Sequence, residues 1–128
     1  RYIAEAEVAI ENIFDGQVPK IFVAADDCRV MEEFRKMKPE WTFVSECDNA
    51  NGVSGFVLND MKHWTLQQTD EHYRKFFVEL YAAAIAKYFI GVAYTNVSWW
   101  VFFMKLHRWS FRMIDRPELP LGQVVNAW

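Results

Sequence analysis

Apolar residues Ile3, Ala6, Ile10, Ile13 and Phe14 recur at helical spacing until "DGQVPK" breaks the pattern, which predicts an amphipathic helix over 2–14. Residues 21–25 then form a short continuous apolar run ending in Asp26 and Asp27. That is the form of a parallel strand covered on both faces, its polar end at the carboxyl edge of a sheet. Either acid can cap the next helix. This helix, over 28–38, places Val30, Phe34 and Met37 on one face and stops at Pro39, whose ring disfavours helix in the residue before it. Residues 41–45, "WTFVS", read as a second strand.

The Asn and Gly content of "ECDNANGVSG" is turn-forming, so 46–70 reads as a long variable connection with some local helix. From Glu71 the pattern sharpens. Phe77, Leu80, Tyr81, Ala84, Ile85 and Tyr88 follow i, i+3, i+4, i+7, i+8 and i+11, a helix whose stripe is expected to lie on a sheet. It leads into a strand, "YFIGV", a turn, and a helix over 96–107 with Val97, Val101 and Met104 facing inward. A short strand, "SFRMID", and the Pro-rich "RPELPLG" follow. Helices alternating with short buried strands predict an α/β fold: a three-layer Rossmann-like parallel sheet with helices on both faces.

At 128 residues the default is one domain over 1–128. Hydrophobic residues make up 52% and aromatics 17%, rich enough that some apolar surface is expected to meet a partner. A net charge of -3 with both signs interspersed excludes the basic stripe of a nucleic-acid binder. The late run of Lys105, Arg108, Arg112 and Arg116 reads as a solvated helix face and loop. Cys28 and Cys47 fall on different elements in no metal or redox spacing, which leaves their pairing open. No apolar run reaches the ~20 residues that span a bilayer. The acid-bearing start lacks a signal-peptide pattern and an initiator Met, so the expectation is a piece of a longer chain.

In open α/β sheets ligands collect beyond the carboxyl ends of the strands, where this pattern places Asp26 with Asp27 and Thr95 with Asn96. At the second place a strand ends and a helix begins, whose free amides and dipole attract an anion such as phosphate. Thr95 can add a hydroxyl donor, or it can simply cap its own helix. Glu79 lies on the preceding helix beside Phe76, Phe77, Leu80 and Tyr81, where a carboxylate needs a hydrogen-bond partner. A guanine edge is one such partner; Lys, Arg or water is a commoner one. Asp26 and Asp27 are adjacent and do not form an acid and base pair. His63, His72 and His107 show no metal-ligand spacing with them. The sequon at Asn96, Val97 and Ser98 reads as a coincidence at a helix start.

"IFVAADDCRVMEEFRKMKPEWTFVS", "FFVELYAAAIAKYFIGVAYTNVSWW" and "FRMID", in that order, resemble the C-terminal nucleotide-binding half of α-1,6-fucosyltransferases and nodulation-factor fucosyltransferases. The resemblance implies half of a GT-B fold, GDP-fucose as donor, a glycan acceptor, and no metal or other cofactor. Carried over by position, it implies that Glu79 reads guanine, that Thr95 and Asn96 hold the phosphates, and that Asp26 and Asp27 organise the donor site. It also implies the Golgi lumen for eukaryotic members. Val92, Tyr94, the Ala86-Lys87 pair and Trp99 stand where the family carries hydroxyls, Ser-Asp and Arg. The family's arginine-bearing phosphate motif and catalytic base lie upstream of the matching blocks, so the catalytic residues are not assigned. The second function class is a non-catalytic relative that uses its aromatic face, around Trp99 and Trp100, for assembly with another protein.

Overall fold

The computed structural model describes residues 1–49, 58–105 and 110–116. The order of elements is α1 (Tyr2–Ile13), β1 (Ile21–Phe22), α2 (Arg29–Met37), β2 (Phe43–Val44), α3 (Leu66–Ile85), β3 (Phe89–Gly91), α4 (Asn96–Met104) and β4 (Phe111–Met113). Short 3-10 turns at Glu46–Asn49 and Leu58–His63 precede α3. The strands form two separate two-stranded parallel sheets, β1 with β2 and β3 with β4. Alternating helices and small parallel sheets are those of an α/β chain. A continuous three-layer sheet is not seen among the described residues.

The chain divides into two compact units, Arg1–Gln17 with Leu80–Trp128, and Val18–Glu79. In the first, α1 ends where Asp15 and Gly16 take positive φ and the Gly16 amide returns to the Ile10 carbonyl (2.9 Å). Ala9 and Ile10 of α1 are buried, as are Val101, Phe102, Phe111, Met113 and Ile114. Phe111 stacks on Phe89 (5.0 Å) and meets Phe102 edge-on (5.3 Å), so neighbouring strands and α4 share one aromatic contact. In the second unit the β1–β2 pair is continued by Val23 N–H to Val44 O (2.9 Å), and Phe43 packs between Phe34 and Trp41.

Helix phases depart from the sequence expectation in three places. On α4 the inward residues are Ser98, Val101 and Phe102, while Val97 and Met104 are exposed; the Ser98 hydroxyl is buried against the turn it serves. On α2 Met31 is buried and Met37 exposed. On α3 Leu80 and Ala83 are buried, and the large residues Phe77, Tyr81 and Ile85 are exposed. The apolar stripe of α3 thus runs partly along its exposed side.

The helix α3 also starts five residues before Glu71, inside the expected connection. Thr65 and Gln68 form a capping box: Thr65 Oγ1 accepts from Gln68 N–H (3.2 Å), and Gln68 Oε1 accepts from Thr65 N–H (2.8 Å). At the far end of α4, Lys105 of the expected helix differs too. Lys105 lies after the helix, buried, and donates its ammonium to Ala86 O just past the end of α3 (2.6 Å). Residues 106–109, with Arg108 and His107, lie outside the described residues. The expected solvated basic run is corrected accordingly: Lys105 is buried, and Arg112 pairs with Glu5 (3.3 Å). A buried ammonium persists here because a helix end offers it unpaired carbonyls. No helix among the described residues is long and apolar enough to cross a membrane.

Candidate functional site

The carboxyl ends of β1 and β2 are stitched together. Ser45 Oγ donates to Val23 O (2.8 Å) and accepts from Cys47 N–H (3.2 Å). In the loops that follow, Cys28 and Cys47 form a disulfide, with Cα atoms 5.4 Å apart. The sequence left this pairing open; the parallel register of the strands decides it, because it brings the two following loops level with each other. Four acids belong to this end of the Val18–Glu79 unit: Asp26, Asp27, Glu46 and Glu79.

Asp27 is taken by its own neighbour. Its carboxylate accepts Arg29 N–H (3.0 Å) and, on both oxygens, Arg29 Nε (2.8 and 3.0 Å), with Arg29 Nη2 also in contact. The Arg29 hydrogen bonds hold the Asp27 carboxyl down at about 2. Asp26 is exposed. Glu79, half-buried on α3, is pushed up to about 7, first by burial and then by the charges of Glu46 and Asp26, with Lys75 opposing. No hydrogen bond or ion pair engages Glu79 among the described residues. Among the described residues it is a carboxyl with no hydrogen-bond donor, with the charges of Glu46 and Asp26 set against that of Lys75.

The turn after β3 is built differently. Thr95 is the N-cap of α4: its hydroxyl accepts from Ser98 N–H (3.3 Å) and can donate either to Ser98 Oγ (3.0 Å) or to Val92 O (3.3 Å). Ser98 Oγ also accepts Val92 N–H (3.2 Å). Gly91 makes this possible, since a Cβ there would lie 2.4 Å from the Phe89 ring and 2.6 Å from Ser98 Oγ. Trp99 Nε1 donates to Ala93 O (2.7 Å), and Ala93 N–H donates to Asp115 Oδ1 (2.7 Å). That Ala93 hydrogen bond holds the Asp115 carboxyl below its ordinary range, with burial opposing and Tyr94, Asp115 amides and Arg116 assisting. Asn96 opens α4 and is exposed.

Of the residues singled out in the sequence, Asp26, Asp27 and Glu79 therefore belong to one unit, and Thr95 and Asn96 to the other. Among the described residues no group of three or more His, Cys, Asp or Glu is arranged to hold a metal ion. Comparison with protein-family models, with curated proteins and with solved structures finds no match to this chain.

Sequence reasoning missed Glu46, Ser98, Trp99 and Asp115 as members of these sites. Two signals were present. Thr95 and Ser98 stand at the spacing of an N-cap and its third following residue, and Asp115 ends a strand at the same carboxyl edge as the turn after "FIG".

Proposed function

We propose that this chain is a sugar-nucleotide-binding part of a GDP-fucose-type glycosyltransferase, and that Glu79 takes the guanine. The observation that supports it is Glu79 itself: half-buried, without a donor among the described residues, beside Asp26 and Glu46. Guanine N1–H and N2–H₂ supply two donors in the plane that a carboxylate accepts, and they favour its charged form. The expected three-layer Rossmann-like arrangement, half of a GT-B fold, belongs to this reading. What supports it is that both strand pairs are parallel, each joined through a helix. The Cys28–Cys47 disulfide fits the oxidising lumen that the reading implies. Sugar transfer to a glycan acceptor is assigned to this part only together with the arginine-bearing half of such an enzyme.

The test is thermal unfolding with GDP, GDP-fucose and UDP. At a hundredfold excess over Kd a ligand adds ~2.7 kcal/mol, a shift of several degrees for a chain of this size. Guanine nucleotides should stabilise the chain and UDP should not, and Glu79→Ala should abolish the difference. Equal responses to GDP and UDP overturn the reading.

A second reading, an assembly domain without catalysis, is favoured by one observation. The outer face of α4 carries Val97, Trp100, Phe103 and Met104, each about half exposed, although the opposite face is buried in the core. A helix apolar all round is ordinarily covered on both sides. A concentration-dependent mass in sedimentation, lost in Trp100→Glu, would favour it over nucleotide binding.

A further inference from the structure

We propose that Asp115 is a built-in anion: its carboxylate holds the Ala93 amide at the turn after β3 and keeps that turn shut to external phosphate. The strand register delivers it there. Gly91 pairs with Met113, so Asp115, two residues on, comes level with Ala93, two residues beyond Gly91. The intervening step is locked by Ile114 N–H to Gly91 O (3.0 Å) and by the Arg1 guanidinium on Ile114 O. At 2.7 Å the Ala93 contact is a short charge-assisted hydrogen bond, the kind an oxyanion makes with a turn amide. The carbonyl of the same residue, in the next peptide group, accepts from Trp99 Nε1 (2.7 Å). Thr95, the hydroxyl that would reach for a phosphate, is spent on Ser98 and Val92. The Val92 and Ala93 amides and the Thr95 hydroxyl thus have internal partners, and the anion's place is taken by a side chain from the turn after β4. Arg116 and Tyr2 of α1 are coupled to Asp115 by charge, and Tyr94 adds its backbone amide. The inference concerns the unit that holds Asp115 and does not depend on Glu79 reading guanine.

The test uses the full chain labelled with nitrogen-15 and titrated with inorganic pyrophosphate at constant ionic strength. In the native chain the Ala93 amide resonance stays in place. In Asp115→Asn and Asp115→Ser it moves saturably, with apparent affinity at least about tenfold stronger, each tenfold being 1.4 kcal/mol. Asp115→Glu, which keeps the carboxylate, stays closer to the native response. Saturable movement in the native chain as strong as in the variants overturns the proposal, as does silence in both folded variants. Should the variants fail to fold, the native chain decides. An Ala93 resonance that follows the Asp115 carboxyl through its acid titration supports the proposal, and one indifferent to that titration overturns it.

Discussion

Two parallel strand pairs in this chain each end in a loop that leads toward a helix, and the two ends are finished in opposite ways. Beyond β3, the turn at 92–95 spends its polar groups internally, on Ser98, Trp99 and Asp115. Beyond β1 and β2, the loops are tied by a disulfide, yet Glu79 keeps a carboxyl without a donor among the described residues, beside Asp26 and Glu46. A position at the carboxyl edge of a sheet therefore does not by itself say which polar groups are left for a ligand. What matters is which polar groups remain unspent once the chain has satisfied itself, because a group already hydrogen-bonded gains little from a ligand.

The largest expected effect comes from cutting the tie at the open end. Replacing Cys28 and Cys47 by Ser, across a sequence separation of 19, should cost about 3 kcal/mol in chemical unfolding. Unchanged stability in the variant would mean that the open end is held by its hydrogen bonds alone. At the closed end, Gly91→Ala forces a Cβ against the Phe89 ring and Ser98 Oγ and should cost about 1–3 kcal/mol. The Val92 and Ala93 amides should then exchange with solvent faster. Ser98→Ala leaves the Val92 amide and the Thr95 hydroxyl short of a partner and should cost about 1–2 kcal/mol; wild-type stability would show that the closure is not what holds this turn.

A further effect is one of pH. A carboxyl raised in the folded state binds its proton more tightly there than in the unfolded chain. Glu79 should therefore contribute stability below its unfolded value of 4.5 that is lost as pH rises through about 7. Glu79→Gln should flatten the melting profile between those values and be the more stable protein at the alkaline end. A variant profile parallel to the wild type's would remove Glu79 as the strained group of the open end.

Much of the secondary structure was legible because its signals are local. Pro39 stops α2, the Gly16 region ends α1, and the apolar runs at 21–25 and 88–92 contain the strands. The early start of α3 was also written locally, in the Thr65 and Gln68 box, but among turn-forming neighbours that masked it. Helix phase was less legible. The apolar stripe Phe77, Tyr81 and Ile85 is a strong periodic signal, and it points outward. Periodicity identifies faces; which face is covered depends on how closely a neighbour can approach.

For the site, residue type and order along the chain determined where to look: acids after β1, Glu79 on the following long helix, Thr95 at the start of α4. Only the tertiary structure decided what those groups are free to do. Asp27 is spent on Arg29, Thr95 on Ser98, and Ala93 on Asp115, while Glu79 is left without a donor among the described residues. The reason is physical: a local cap needs only neighbours in sequence, whereas the Ala93 to Asp115 contact and the Cys28 to Cys47 bond need strand registers that bring distant residues level.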